Sequence, residues 1–302
     1  MANGRPTTEA RRRKERFARL DAAAALLVIV LAVLLVAWIF LRGRTLDFSY
    51  YTSYSTLYRM PVYAALLKGL ALALLATVAA YAGGLVIGFL VGWARAVERP
   101  VGQALSELPH NRARAHAVLG AIGRRAVSRA ADFYVELVRG TPLLVQIIFI
   151  WYALILVLPT EWGLPTNSLI AGTLAMLFNT GGYQGEIFRA GIQSIPPGQV
   201  EAGRSVGLSR LQTMRHVVLP QALRLVAPPL TNEFIALFKA SSLLYAISVA
   251  ELASVTKSLS TFNPRIFEVF LISVALYLAV TVPLSRAVGL LERKFRIPGL
   301  GL

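Results

Sequence analysis

Residues 64–94 read AALLKGLALALLATVAAYAGGLVIGFLVGWA, an apolar block in which Lys68 is the single charged residue. An α-helix of about 20 apolar residues is long enough to cross the hydrocarbon core of a bilayer. The block therefore predicts a membrane-spanning helix. Further apolar blocks lie on either side of it, at residues 22–41, 133–158, 168–192, 222–250 and 266–290. We accordingly expect an all-α integral membrane protein with six transmembrane helices.

The composition agrees with this interpretation. Of the 302 residues, 56% are hydrophobic and 15% are charged, which is too apolar for an ordinary soluble domain. The chain has no cysteine, so disulfides and thiolate chemistry are excluded. Its three histidines are scattered, and none fits a metal-ligand spacing such as H-E-x-x-H. We therefore expect no catalytic residues, no metal ligands and no membrane-embedded enzyme site.

The formal charge of +16 follows the expected topology. Basic residues crowd the N-terminal tail, the segment after the second span, the segment after the fourth span and the C-terminal end. The alternate segments are poorer in basic residues, and residues 159–167 contain no lysine or arginine. Because positive residues favour the cytoplasmic side of a membrane, both termini are predicted to be cytoplasmic. No nucleic-acid partner is expected.

The cytoplasmic segment 194–224, SIPPGQVEAGRSVGLSRLQTMRHVVLPQALR, predicts two short helices joined at a glycine. Proline at 196 and 197 suits the start of the first helix, and Glu201 is expected in its first turn, where the helix dipole favours an acid. Gly207 is expected to end this helix in a left-handed conformation that glycine adopts at little cost.

The second helix of this segment is predicted to begin at Ser209, with Gln212 completing a capping box, and Leu219-Pro220 would close the unit. The small residues Ala202 and Gly203 would leave one side of the first helix open to another protein surface. From these residues alone, an ordinary cytoplasmic helical hairpin is an equally good interpretation.

A resemblance favours the interaction surface. The segment resembles the E-A-A-x3-G-x9-I-x-L-P signature loop of bacterial ABC-importer permeases of the type I fold through Glu201, Ala202, Gly203, Gly207, Val217, Leu219 and Pro220. Gly203 and Val217 stand where that pattern has alanine and isoleucine. Similarity to the polar amino acid permease family extends to residues 134–146, 183–192, 239–243 and 251–252, with Ala240 as a departure, and covers roughly residues 61–290.

The resemblance implies a permease subunit that moves a polar amino acid, or another small amino-acid-like solute, into the cytoplasm across the bacterial inner membrane. Its implied partners are a cytoplasmic ABC ATPase dimer, an extracytoplasmic solute-binding protein, a second permease subunit (the same or a related chain) and membrane lipid. No lysine of the chain follows a glycine as a phosphate-binding loop requires. ATP and Mg would therefore be bound by the ATPase, and this chain would hold no cofactor.

The implied ATPase-coupling residues are Glu201, Ala202, Gly203, Gly207, Leu219 and Pro220. The predicted domain organisation begins with a basic cytoplasmic tail over 1–21, followed by an extra N-terminal transmembrane helix and an external loop over 22–60. A five-helix permease domain then covers 61–292 and includes an Arg-rich cytoplasmic insertion at 98–130. A cytoplasmic tail covers 293–302. In the second span, Gly84, Gly88 and Gly92 form a stripe on one helix face, which favours close packing within the subunit over a dimer interface.

Polar residues inside predicted spans mark candidate solute contacts, because such residues are costly in a bilayer. They are Asn179, Thr180, Glu233, Lys239, Ser241 and Ser242. A partly unwound helix near the serines could present carbonyls and hydroxyls to solute. The structural alternative for Glu233 and Lys239 is that they form a buried pair with each other. The structural alternative for the serines is that their hydroxyls bond back to their own helix. Near the cytoplasmic span ends, ion pairing with one another or snorkelling, and not solute contact, is expected for Glu136, Arg139, Glu186 and Arg189.

A transporter driven by an ion gradient is the alternative from a different functional class. It would predict internal repeats and acids in mid-membrane. We find no convincing repeat between the halves of the chain, and Glu233 is the one clear mid-span acid.

Overall fold

The computed structural model divides the chain into two units, Met1–Tyr50 and Tyr51–Leu302. It describes residues 49, 52–55, 57–96, 112–157, 164–261 and 266–295. All of these except Ser49 belong to the second unit. The predicted basic tail and first span, residues 98–111 of the predicted insertion and the last residues of the C-terminal tail lie outside the described residues.

Helices make up nearly all of the described part of the second unit. Two strands of two residues each, β1 and β2, pair antiparallel just before the first long helix. The elements in chain order are β1 (Tyr54–Ser55), β2 (Met60–Pro61), α1 (Val62–Ala96), α2 (Arg112–Gly140), α3 (Leu143–Val157), α4 (Leu164–Gln193), α5 (Pro197–Ser205), α6 (Arg210–Thr213), α7 (Leu219–Ala240), α8 (Leu252–Thr261) and α9 (Ile266–Phe295).

Two of the described helices are each long and apolar enough to cross a membrane, namely α1 and the Ile266–Leu290 part of α9. Two bent pairs of helices meet the requirement together: Ile122–Gly140 with Leu143–Val157, and Leu211–Ile247 with Leu252–Thr261. The described residues therefore contain two to four candidate spans. The 30-residue helix α4 coincides with a predicted span but is not among these candidates, because polar residues are interspersed along it.

The prediction of one continuous helix over 133–158 is wrong. The chain breaks at Thr141-Pro142, and α2 and α3 are bent by 108° relative to each other. Proline has no backbone N–H and its ring clashes with the preceding turn, and the residue before proline disfavours the helical conformation. In the other direction α2 reaches back to Arg112, so the second half of the predicted insertion is helical.

The predicted span over 222–250 also departs from a regular helix. After α7 ends, the chain tightens into a 3-10 helix over Ser241–Ile247, and Ser248 adopts a left-handed backbone with φ of 61°. A further helix, α8, then begins and buries Leu252 and Leu259. No helix was predicted over α8, because the segment is short and lies between two stronger apolar blocks.

The glycine stripe of α1 packs against α4, as expected. A Cβ atom added at Gly84 would lie 2.4 Å from Cγ2 of Thr180, and one added at Gly88 would lie 2.6 Å from Cβ of Gln184. At Gly92 the added Cβ would lie 2.6 Å from the carbonyl oxygen of Gly185. The two backbones approach this closely only because glycine has no side chain, so the expectation of packing within the subunit is confirmed.

Candidate coupling loop and solute cavity

The first helix of the segment 194–224 ends as predicted. The N–H of Gly207 donates to the carbonyl of Arg204 (3.0 Å), and the N–H of Leu208 donates to the carbonyl of Gly203 (3.2 Å). Gly207 has a φ of 88°. These are the two hydrogen bonds and the left-handed residue of a Schellman motif, in which glycine is the favoured residue.

The capping box at the second helix is also confirmed. The N–H of Ser209 donates to Oε1 of Gln212 (2.8 Å), and the N–H of Gln212 donates to Oγ of Ser209 (3.3 Å). The expected end of this helix is wrong, however. After α6 the chain runs through a π-helical turn, Met214–Val218, directly into α7. Leu219 and Pro220 are therefore the first residues of α7, immediately after this π-helical turn.

Two further details of this segment differ from the prediction. Because α5 starts at Pro197, Glu201 lies beyond its first turn, and no acidic residue occupies that turn. Glu201 and Ala202 are exposed, but Gly203 is buried. A Cβ at Gly203 would lie 3.0 Å from Cγ2 of Thr213. Gly203 thus lets α5 approach α6 and does not leave room for a partner.

The segment is anchored in the helix bundle by an apolar cluster. Ile192 at the end of α4 and Ile195 in the turn that follows pack with Val218 and with Ala222 of α7, and all four are buried. The hairpin formed by α5 and α6 therefore connects α4 to α7 through a packed junction. A force applied to the hairpin would reach both helices.

A cavity of about 560 Å³ lies between helices of the bundle. It is bounded by the corner between α2 and α3, by α4 and by α7. The lining residues are Arg139, Gly140, Thr141, Pro142, Leu143, Asn179, Tyr183, Glu233, Ala236, Leu237 and Ala240.

Of the candidate solute contacts, Asn179 and Glu233 line this cavity. Thr180 is fully buried behind it, and its hydroxyl donates to Oε1 of Glu233 at 3.1 Å. Thr180 therefore holds the Glu233 carboxylate from behind instead of facing the cavity.

The other three candidates do not line the cavity. The Ser241 hydroxyl donates to the carbonyl of Phe238 (2.7 Å), and the Ser242 hydroxyl donates to the carbonyl of Lys239 (2.9 Å). This is the back-bonding to the same helix that the sequence analysis gave as the alternative. Lys239 is exposed, and among the described residues it forms no ion pair with Glu233.

Sequence reasoning missed the contribution of the α2–α3 corner to the cavity wall. Arg139 was expected to form ion pairs or to snorkel, and not to contact solute. Its Nη1 lies 3.9 Å from Oε2 of Glu186, and its guanidinium lies 5.6 Å from the ring centroid of Tyr183, while the side chain also lines the cavity. The available signal was Pro142, which ends the helix next to Arg139, where the guanidinium faces Glu186 and Tyr183 of α4.

The expected ion pairing at the ends of these helices is confirmed for Glu186 and Arg189, which form an ion pair. Arg95 on α1 extends the cluster: its Nε lies 2.5 Å from Oδ1 of Asp132, and its Nη1 lies 2.6 Å from Oε2 of Glu186. The cluster ties α1, α2 and α4 together. Glu136 is exposed and forms no ion pair within the described residues.

The cavity thus presents a cation, Arg139, and a carboxylate, Glu233, on walls from different helices. A small solute that carries both an ammonium and a carboxylate group would be matched in charge by these walls. Within the described residues, no group of histidine, aspartate and glutamate side chains is arranged to hold a metal ion.

Comparisons with known proteins agree with these features. Residues 117–297 match the family described as "Binding-protein-dependent transport system inner membrane component". The chain is 34% identical over 238 residues to the glutamine transport system permease protein GlnP of Escherichia coli (strain K12), covering 78% of this chain and 95% of that protein. It is 40% identical over 161 residues to the probable glutamine ABC transporter permease protein GlnM of Bacillus subtilis (strain 168), covering 53% of this chain and 72% of that protein.

Among solved structures, the chain is similar to one described as "Crystal structure of an amino acid ABC transporter with histidines". The TM-score is 0.61 and the sequence identity is 28%, and the match covers 80% of this chain and 99% of that chain. The matched family, the similar permease proteins and this solved structure agree with one another. The chain belongs to the family of binding-protein-dependent transport system inner membrane components, the permease subunits of ABC transporters.

Proposed function

We propose that this chain is the permease subunit of an ATP-binding-cassette importer that carries a polar amino acid into the cytoplasm. The observation that carries the proposal is the cavity between α2–α3, α4 and α7, with Arg139 and Glu233 in its walls. Every amino acid carries a carboxylate that suits the guanidinium and an ammonium that suits the carboxylate. The curated relatives are described as glutamine permease proteins, so glutamine is the first solute to test.

The segment 194–224 is the proposed docking site for the ATPase. Val206 and Leu211 are 78% and 71% exposed, and exposed apolar side chains beside a rigid loop favour a protein partner. The coupling residues Glu201, Ala202 and Gly207 lie on this hairpin. Because the hairpin connects α4 to α7, ATP-driven movement of the ATPases would displace the two helices that carry Asn179 and Glu233. Such a displacement is a rigid-body switch of the kind that alternates access to a cavity.

The remaining parts of the proposed assembly are consistent with this arrangement. The chain spans the bacterial inner membrane six times with both termini and the hairpin in the cytoplasm, as the distribution of basic residues favours. An ABC ATPase dimer binds ATP and Mg, an extracytoplasmic protein delivers the solute, and a second permease subunit completes the pore.

Reconstitution into proteoliposomes tests the proposal. The permease is combined with its ATPase and delivery protein, ATP is enclosed, and uptake of labelled L-glutamine is measured. We expect ATP-dependent uptake that Glu233→Gln reduces at least tenfold without loss of the ATPase from the complex. Thr281→Val serves as the matched control, since the hydroxyl of Thr281 donates to the carbonyl of Tyr277 on its own helix α9, which contributes no residue to the cavity lining. Uptake by the permease alone under an ion gradient would contradict the proposal and favour a secondary transporter.

A further inference from the structure

Gln146, on the first turns of α3, reaches back across the corner to α2. Its Nε2 lies 2.9 Å from the carbonyl oxygen of Val138, 3.2 Å from the carbonyl oxygen of Thr141 and 2.7 Å from Oγ1 of Thr141. The break at Pro142 leaves carbonyl groups at the end of α2 without helical N–H partners. The Gln146 amide supplies hydrogen-bond donors to this helix end.

These neighbours determine the orientation of the Gln146 amide, that is, whether Nε2 or Oε1 faces the corner. The Thr141 hydroxyl donates its hydrogen to the carbonyl of Leu137 at 2.8 Å, so it offers Gln146 only lone pairs. All three neighbours are thus acceptors. An amide turned by 180° would place its oxygen against three oxygens and leave each of them without a donor, which is costly in a partly buried site. The NH₂ group must face the corner, and Oε1 must face away from it.

The orientation of Gln146 determines the orientation of Asn179. Oε1 of Gln146 accepts a hydrogen bond from Nδ2 of Asn179 at 3.0 Å. Because only the NH₂ group of Asn179 can serve that acceptor, its Oδ1 is the atom that remains for another partner. Asn179 is largely buried and lines the cavity. Among the described residues no group donates to its Oδ1.

We infer that Gln146 is a positioning residue that fixes the Asn179 amide so that the cavity presents an acceptor oxygen to an N–H group of the solute. The inference rests on the proposed function, in which this cavity holds the solute. Together with the Glu233 carboxylate, Asn179 gives the cavity two acceptors, while Arg139 supplies the donors. The cavity therefore selects a solute by the positions of its N–H groups. The backbone carbonyls of the α2–α3 corner orient Gln146, and through it they determine that Oδ1 of Asn179 is available to the solute.

A double-mutant cycle tests the inference. The purified permease–ATPase complex in lipid nanodiscs is titrated with labelled L-glutamine. Asn179→Leu and Gln146→Leu are each expected to raise the Kd about five- to tenfold, the effect of one lost or misdirected hydrogen bond. The double variant is expected to match Asn179→Leu within about twofold, because Gln146 acts on the solute only through Asn179. Thr281→Val is the control and is expected to leave the Kd unchanged, since Thr281 lies on α9 outside the cavity lining.

The outcomes separate this inference from the proposed function. If Asn179→Leu leaves the Kd unchanged, the cavity is not the solute site and the proposed site fails. If Asn179→Leu weakens binding but Gln146→Leu does not, or if the two effects multiply in the double variant, the positioning role is overturned while the proposed function stands. Gln146→Met, an unbranched apolar residue of similar length, provides a second variant. Failure of both Gln146 variants to assemble with the ATPase would mark Gln146 as a purely structural residue and would also overturn the inference.

Discussion

Substitutions at Gly207 should weaken docking of the ATPase in proportion to the free-energy cost of a left-handed backbone. Gly207 has a φ of 88°, and no atom lies within 4 Å of a Cβ built on it. Crowding inside the chain therefore does not contribute, and the backbone conformation alone determines the effect. Asparagine is the matched control, because it adds a side chain yet adopts the left-handed region more readily than other non-glycine residues.

The left-handed conformation costs an ordinary L-residue roughly 1–2 kcal/mol, with β-branched residues at the upper end. We expect Gly207→Asn to cost a few tenths of a kcal/mol, Gly207→Ala about 1 kcal/mol and Gly207→Val about 2 kcal/mol. The free loop can relax and the docked loop cannot, so these costs lower the affinity for the ATPase. At about 1.4 kcal/mol per tenfold change, the Kd rises about fivefold for alanine and about thirtyfold for valine.

The assay is titration of the purified permease in nanodiscs with the labelled ATPase, read as a Kd, with the thermal unfolding temperature of each variant measured alongside. The expected order of affinity is Gly, Asn, Ala, Val. An equal loss for asparagine and valine would refute the backbone argument, because it would mean that any side chain at this position obstructs docking. Unchanged docking of Gly207→Val would remove the loop from the ATPase interface altogether.

Three further substitutions probe the packing on which the sites depend. Gly88→Leu is expected to lower the free energy of unfolding by at least 1–3 kcal/mol, since its Cβ alone would lie 3.0 Å from the backbone nitrogen of Gly185; a variant with an unchanged thermal unfolding temperature would contradict this. Ser209→Ala removes a confirmed cap and should cost about 1 kcal/mol, measured as weaker ATPase docking, whereas Ser209→Asp should restore it. Glu251 is fully buried and accepts hydrogen bonds from the N–H groups of Ala253 (2.8 Å) and Ser254 (2.7 Å). Glu251→Ala should therefore destabilise the protein by about 2–3 kcal/mol, and Glu251→Gln, which keeps one acceptor oxygen, should lose less; equal losses would refute a capping role.

Features that depend on a few neighbouring residues were predicted well. The Gly207 turn and the Ser209–Gln212 capping box are completed by hydrogen bonds that reach no more than five residues along the chain. Each residue type at such a position satisfies specific N–H and C=O groups, so its presence in the sequence is nearly sufficient. Long apolar blocks are equally direct signals, because α1 and α9 need only length and apolarity to suit a bilayer.

The cavity could not be derived in the same way. Arg139, Asn179 and Glu233 come from three different helices, and no local pattern indicates that these helices converge. Lys239 shows the converse failure: it was selected for being polar in a span, but it lies on a face of α7 that does not line the cavity. Pro142 was ambiguous as well, since membrane helices tolerate proline when neighbouring groups satisfy the freed carbonyls. Here the amide of Gln146 satisfies them at the corner, and α2 and α3 diverge.

The amino-acid sequence alone therefore specifies an apolar, helical membrane protein with a capped hairpin, because burial of apolar blocks and short-range hydrogen bonds depend on residue type and spacing. The tertiary packing alone decides which polar side chains meet. The glycine stripe of α1 brings α4 within backbone contact, the bend at Pro142 turns Arg139 toward α4, and the buried hydroxyl of Thr180 holds Glu233 at the cavity wall. These contacts join residues far apart in the chain, and their geometry depends on how the helices pack and not on any single segment.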